Sequence, residues 1–432
     1  MGKMVNVAVI GGGASGLVSA KYSIAEGFDV TIYEQASNLG GTWMYTDKTD
    51  KDQYGANVHS VMYQGLRTNL PKQLMEFIDH KYPEKTLPYP PQSDVLKYLQ
   101  SYADRFNLMK HLKLSHSVIR IQPIENDKWE IIVKDLPNNK FETKIYDIVF
   151  VCNGHCTMPR IPKIDGASEF NGKIIHSRDF RTAEAFHADN VLIVGGGPSG
   201  VDLVMQISKV ANRITFSQHK RPDETKEARD IRQSKFPSNV SLQENVKRLT
   251  PTGAEFIDGS HQTFTAIIYA TGYNFKYPFL SADCGIHVDN NFVQPLYKQI
   301  LNIEFPSMAF IGVTHFACNF PMYDLQAKFA LKFLTGAKKL PTKSEMMMDM
   351  RVKTQIHWNK GYQKHRTHTL GPDQKDYFDD LSTTADIENI PHILLSIFFD
   401  SVRRTMSGDL DYRKYKYNVI DDKTFTCEKY ME

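Results

Sequence analysis

An α/β fold of two Rossmann-like units, one inserted into the other, follows from three features of the chain. The pattern Gly-x-Gly-x-x-Gly occurs twice, at Gly11, Gly13 and Gly16 and again at Gly195, Gly197 and Gly200. Each copy stands directly after a short apolar run, Val5 to Ile10 or Val191 to Val194, and before a stretch with helical spacing. A further strand-like run, Thr265 to Tyr269, closes the second unit, after which the chain returns to complete the first. The expected boundaries are 1–181 for the first part of domain one, 182–272 for the inserted domain, and 273–432 for the remainder of domain one with a helical C-terminal region.

Val5 to Ile10 reads as a buried strand, Ser15 to Glu26 as a helix, and Asp29 to Tyr33 as a second strand ending at Glu34. Together they make one mononucleotide-binding unit. Asp94 to Phe106 carries an apolar stripe of Val95, Leu96, Leu99, Tyr102 and Phe106, which predicts an amphipathic helix. Two β-rich stretches follow, around Trp129 to Val133 and Ile145 to Val151, and then a rigid proline-bearing link from Pro159 to Pro162. The second strand-helix-strand unit begins near Thr182, with Arg213 to Phe216 as its next strand. Short, right-handed crossovers make both units parallel sheets with helices on their faces.

Composition excludes several classes. At 432 residues, with 41% apolar and 23% charged residues, the chain is ordinary for a globular protein of two to three domains. The net charge of +3 is dispersed, so no electrostatic case for nucleic acid exists. The late apolar run Ile393 to Phe399 is far short of a membrane span, and the N-terminus leaves no room for a secretory signal ahead of the first strand. A cytoplasmic protein is the expectation, with self-association left open. Five cysteines without a Cys-x-x-Cys pair suit free thiols, and His365 and His368 lack the neighbours a metal site needs, so no metal is expected.

The glycines carry the chemistry. The first of each set allows the tight turn, the second lets backbone approach a pyrophosphate, the third packs helix on strand, and the helix N-terminus receives the negative charge. Glu34, at the end of the second strand, can accept from both ribose hydroxyls of an adenosine and would repel a 2′-phosphate. Gly40-Gly41-Thr42-Trp43 follows closely and tips the first site to FAD over NAD. After the second fingerprint the corresponding strand ends instead in Ser217-Gln218-His219-Lys220-Arg221. A hydroxyl with cationic neighbours suits a 2′-phosphate, so the second site is expected to take NADPH.

With these residues in place the chain resembles the flavin-containing monooxygenases over most of its length. The resemblance implies FAD contacts from Gly11, Gly12, Gly13, Ala14, Ser15, Gly16 and Glu34, with further contacts from Gln35, Gly41, Thr42, Trp43, Thr68 and Val118. Asn69, in the block Tyr63 to Lys72, matches a family asparagine near the flavin ring and nicotinamide, and is the expected catalytic residue. Gln326 matches a glutamine at a helix start that faces the flavin. Gly195, Gly197, Pro198, Ser199, Gly200, Ser217, His219, Lys220 and Arg221 fall on the NADPH/NADP+ side; the family carries arginine where this chain has His219.

The segment Phe170 to Arg181 fits the family pattern F-x-G-x-x-x-H-x-x-x followed by an aromatic and a base. Its Phe170, Gly172 and His176 read as linker and interface residues, as does Ala270-Thr271-Gly272-Tyr273. The implied reaction uses NADPH and O2 to form a C4a-hydroperoxyflavin that oxygenates a tertiary amine, alkaloid or sulfide. The polar C-terminus resembles that of the insect type without a membrane tail, some members of which convert plant alkaloids to N-oxides. A Baeyer-Villiger ketone oxygenase is the nearest alternative, although Phe180-Arg181 departs from its usual tryptophan-containing ending. A flavin disulfide reductase would need a Cys-x-x-Cys, and a non-catalytic nicotinamide-sensing flavoprotein is the alternative outside enzymology.

Overall fold

The computed structural model describes residues 4–220 and 224–430. Its first sheet has seven strands in the order Leu296–Tyr297, Leu301–Asn302, Met308–Phe310, Ile148–Val151, Asn6–Ile10, Asp29–Tyr33, Leu112–Lys113. The five strands from Met308–Phe310 to Leu112–Lys113 run parallel, and the other two add an antiparallel edge. The second sheet is parallel throughout, in the order Val240–Gln243, Arg213–Ser217, Asn190–Val194, Ala266–Tyr269, Lys173–His176.

Continuous apolar runs form the central strands because both faces are covered. Val7 and Val9 enter a core with the helices Ala14–Ala25, Gln92–Arg105 and Asn319–Leu334, whereas Ala8 and Ile10 point into a separate core with Trp129, Ile131 and Val133. That second cover is an antiparallel sheet of His116–Ile124, Lys128–Asp135 and Lys140–Tyr146, not a helix. The inserted unit repeats the plan: Val191 and Ile193 face helix Pro198–Ile207, and Leu192 faces the antiparallel strands Val246–Thr250 and Gly253–Phe256. Helices therefore cover one face of each parallel sheet and an antiparallel sheet the other. Alternation of buried Trp129, Ile131 and Val133 is what makes the meander amphipathic.

Asp147 divides the stretch that reads as one strand from Ile145 to Val151. Its carboxylate accepts from the Asn6 amide at 2.9 Å and from Lys128, so the chain leaves the meander and enters the parallel sheet at that residue. Strand Lys173–His176 lies ahead of residue 182 in sequence yet pairs with Ala266–Tyr269 in the second sheet. Gly172 permits this approach, since a Cβ there would stand 2.4 Å from the Thr265 carbonyl oxygen.

Two crossings connect the units, and they are zipped together. Met158–Pro159 pairs antiparallel with Tyr273–Asn274, the Arg160 amide donates to Gly272 O at 2.9 Å, and the Thr271 hydroxyl donates to Arg160 O at 2.5 Å. His176 packs its ring on Tyr273 at 5.2 Å; burial pushes its pKa down to about 4, so it is neutral and its Nδ1 accepts from the Arg178 amide. Arg181 then pins the loop of residues 44–60, donating to Thr46 O, Lys48 O and Ser60 O as well as to Arg178 O and Phe180 O.

These carbonyls have no helix or strand partner to replace the guanidinium. Arg181→Met is expected to leave the circular dichroism spectrum intact while speeding tryptic cleavage after the exposed Lys48 or Lys51; an unchanged digestion rate would show that the loop is held by other contacts.

Candidate functional site

Both fingerprints sit at the carboxyl ends of parallel strands, where the chain turns into a helix. Their glycines divide into two kinds. A Cβ at Gly11 would lie 2.5 Å from Cys152 O, and one at Gly16 would lie 1.9 Å from Gly11 O. A Cβ at Gly195 would lie 2.3 Å from Ala270 O, and one at Gly200 would lie 2.0 Å from Gly195 O. The fold itself forbids side chains at these four positions. The middle glycines differ: a Cβ at Gly13 would meet Gly41 Cα at an ordinary 3.5 Å, and one at Gly197 would meet nothing within 4 Å. Their φ angles, −86° and −76°, suit any residue. Glycine at 13 and 197 keeps open a surface that the protein does not fill.

That surface is the end of a helix in both cases. Gly13 precedes helix Ala14–Ala25 and Gly197 precedes helix Pro198–Ile207, and no side chain caps either one. First-turn amides and the helix dipole therefore point at the gap, which fits a pyrophosphate. A second glycine turn closes over the first site: the Gly40 amide donates to Gly12 O at 3.0 Å, and Gly41 has φ +54°.

Glu34 is 7% exposed and accepts the Gly12 and Ala36 amides, one on each carboxylate oxygen, both at 2.8 Å. Burial raises its pKa against the downward pull of those amides, so additional hydroxyl donors at this position would favour the carboxylate. Gln35 donates to Asn57 O at 2.7 Å and accepts from Ser117 Oγ at 3.3 Å, which places it beside Val118 on the meander. Ala14 and Ser15 open the helix, both nearly buried, with Ser15 Oγ 3.5 Å from Cys152 O. Thr42 and Trp43 lie in the turn Gly41–Trp43. The hydroxyl oxygens of Thr42 and Thr68 are buried without a hydrogen-bond partner, which fits a polar group held there.

Asn69 is exposed beside buried Thr68. Gln326 lies inside helix Asn319–Leu334, fully buried, and its amide holds the loop after strand Met308–Phe310: it accepts from the Gly312 amide at 3.0 Å and donates to Thr314 Oγ1 at 2.8 Å and to the Tyr377 hydroxyl at 2.9 Å. Next to that loop the His315 ring lies 5.4 Å from His155, and burial lowers the His315 pKa to about 3. Sequence reading did not find this ring cluster, because 155 and 315 meet only through adjacent strands.

On the second side, Pro198 and Ser199 are exposed at the helix start. Ser217 is 1% exposed and its hydroxyl donates to Glu244 O at 2.8 Å, so it does not form the surface. A cavity of about 190 Å³ is lined instead by Gln218, His219, Lys220, Lys226 and Arg229, among others. Arg229 and Lys226 come from helix Lys226–Gln233, beyond the stretch Ser217 to Arg221 to which the sequence points. Arg221 lies outside the described residues.

A family model described as flavin-binding monooxygenase-like matches residues 4–223 and 224–407. The chain belongs to that family. Senecionine N-oxygenase of Tyria jacobaeae is 34% identical over 97% of this chain and 91% of its own length. Flavin-containing monooxygenase FMO GS-OX4 of Arabidopsis thaliana is 33% identical over 90% of this chain and 85% of its own. Among solved structures, S-allyl-L-cysteine S-oxygenase from Allium sativum superposes with a TM-score of 0.86 at 31% identity, covering 95% of each chain. Cyclohexanone monooxygenase shares the fold, with a TM-score of 0.64 at 15% identity over 89% of this chain. The flavin-containing monooxygenase described here is therefore an enzyme and a flavoprotein, with relatives that include N-oxygenases and S-oxygenases. No helix among the described residues is long and apolar enough to cross a membrane.

The two kinds of glycine predict opposite phenotypes. Gly197→Ala is expected to lose less than about 1 kcal/mol of stability, the cost of alanine at a helix N-cap, yet to lose affinity for a nicotinamide nucleotide by calorimetry, whereas Gly200→Ala is expected to lose about 3 kcal/mol of stability. Equal binding in Gly197→Ala would remove the nucleotide from that helix end.

Proposed function

We propose that this monooxygenase uses FAD, NADPH and dioxygen to oxygenate soft nitrogen or sulfur in small molecules, forming amine or alkaloid N-oxides and sulfoxides. The observation that carries the reading is the pair of glycine-opened helix ends at the carboxyl edges of parallel strands, each with a middle glycine that neither its φ nor a protein contact requires. The N- and S-oxygenases among its relatives support the substrate class.

In this reading the backbone at Gly12 to Ser15 and at Gly41 binds the FAD pyrophosphate, and Glu34 orients the adenosine ribose. Thr42 and Thr68, whose buried hydroxyls have no protein partner, would hydrogen-bond the cofactor. Gln326 acts one step removed, by fixing the Gly312 to Thr314 loop. Asn69 is the proposed positioning group for the reacting side of the flavin, being exposed on the same block as Thr68. On the second side Gly197 to Ser199 would take the NADPH pyrophosphate, and His219, Lys220 and Arg229 would surround the 2′-phosphate. When bound, the reduced flavin supplies dioxygen activation and transfer of one oxygen atom. The protein supplies orientation and a water-poor site, so no serine or cysteine nucleophile is needed.

Incubation of the FAD-loaded protein with NADPH and 18O2 is expected to place one 18O atom in the N-oxide of a trialkylamine or in a dialkyl sulfoxide. Exclusive conversion of a cyclic ketone to a lactone would replace this reading with ketone oxygenation, and NADPH oxidation without labelled product from any of the three would reject it. Lys220→Ala is expected to raise KM for NADPH about tenfold with KM for NADH unchanged, in initial-rate assays; equal effects on both would place the 2′-phosphate elsewhere.

A further inference from the structure

The C-terminal segment joins the two nucleotide sides through a single side chain. Arg413 is the middle residue of the turn Tyr412–Lys414 and is far from both fingerprints in sequence, yet its guanidinium meets both units. Its Nε donates to Thr68 O at 3.0 Å and one terminal nitrogen donates to Arg67 O at 3.2 Å, on the block that carries Asn69. The other terminal nitrogen donates to Asp202 Oδ1 at 2.6 Å. Asp202 lies in helix Pro198–Ile207, about one turn in from the uncapped end, and is 8% exposed. Its second oxygen accepts from the Tyr63 hydroxyl at 2.5 Å, and Tyr63 opens the same block that Arg413 grips.

The surroundings hold this arrangement firm. Tyr412 is buried and packs edge-on against Tyr89 at 5.5 Å, while Tyr63 packs edge-on against Phe180 at 5.3 Å. Upstream, Lys235 of the inserted unit donates to Ser407 O at 2.7 Å, so the same segment is gripped twice by that unit. A pair with one partner on the second nucleotide's helix and the other on backbone beside the first cannot shift on one side without disturbing the other. Removing the guanidinium leaves the buried Asp202 carboxylate without its cation, which is the costly half of such a pair.

We propose that Arg413 is a positioning residue, the clasp of a C-terminal strap that sets the register between the second nucleotide's helix and the Thr68-Asn69 backbone at the flavin. The proposal rests on the cofactor assignment above and deepens it. Arg413 need touch neither nucleotide. It acts through Asp202 on the helix end and through two carbonyls on the flavin block, so that hydride donor and acceptor meet in one geometry.

The test uses the flavin-loaded full chain and compares wild type with Arg413→Gln, Asp202→Asn, the double variant and Tyr63→Phe. Arg413→Gln and Asp202→Asn are each expected to raise KM for NADPH about tenfold and to divert NADPH oxidation from amine N-oxide to hydrogen peroxide, at wild-type flavin content. The double variant is expected to be no worse than the worse single, because both remove one clasp. Tyr63→Phe keeps the ring packing and is expected to shift both readouts the same way by a smaller factor; it decides the matter if a charge variant fails to hold flavin. Multiplied effects in the double variant, or KM and coupling unchanged in Tyr63→Phe and the charge variants, would overturn the strap. A wild type that oxidises no NADPH overturns the cofactor reading and the clasp with it, whereas an active wild type with unchanged variants overturns the clasp alone.

Discussion

The backbone amides at two helix ends impose the constraint on which the rest of this molecule is arranged. Helices Ala14–Ala25 and Pro198–Ile207 begin at glycines and present first-turn N–H groups that no side chain caps. Two other helices carry side-chain caps, the Thr342–Glu345 capping box and Thr225 accepting from the Ala228 amide. Those that follow Pro91, Cys318, Asp373 and Pro391 carry none, so the glycine at the helix end, not the missing cap, sets Ala14–Ala25 and Pro198–Ile207 apart. An end opened by glycine lets an anion come directly onto its amides. The parallel sheets deliver both ends to the carboxyl edges of their strands, and the zipped crossings at 158–160 and 271–274 fix how the two edges are joined.

Much of this was legible in the sequence because the signals are local. The strand-glycine-helix pattern needs only neighbouring residues, and the runs at Val5 to Ile10 and Val191 to Val194 became central parallel strands. The helix expected over Asp94 to Phe106 spans Gln92–Arg105, with Val95, Leu99 and Tyr102 buried as its stripe requires. What was not legible depends on distant partners. Whether a sheet face is covered by a helix or by a meander is decided by how Trp129, Ile131 and Val133 dock, and alternation alone does not name the surface they dock on. Strand Lys173–His176 looks continuous with the first unit, and only its pairing with Ala266–Tyr269 places it in the second.

Ser217 shows the same limit at the level of a site. Its position after the second fingerprint suggests a phosphate ligand, but at that register the side chain points to Glu244 O and the cavity surface passes to His219, Lys220 and Arg229. Gln326 likewise acts through a loop, because it is fully buried and both N–H donors and one lone pair of its oxygen are engaged by protein groups. In both cases the direction of the side chain is set by packing that no single-sequence pattern encodes.

The division of the glycines separates what the fold requires from what a ligand requires, and it does so without a ligand in view. Gly11, Gly16, Gly195 and Gly200 are fixed by backbone contacts under 3 Å, so any protein with this turn would need them. Gly13 and Gly197 have ordinary φ angles and ordinary or no neighbours, so stability gives no reason for them. At a helix N-cap glycine costs only about a few tenths of a kcal/mol against a polar cap, so the position tolerates it without demanding it. Two bare N-caps at equivalent points of two otherwise unrelated stretches of sequence fit one cause under the proposed reading: backbone that comes close to a bound nucleotide. In that same reading Glu34 borders one opening, while His219, Lys220 and an Arg229 paired with Glu244 border the other, so two openings alike in backbone shape differ in the ribose substituent each would accept.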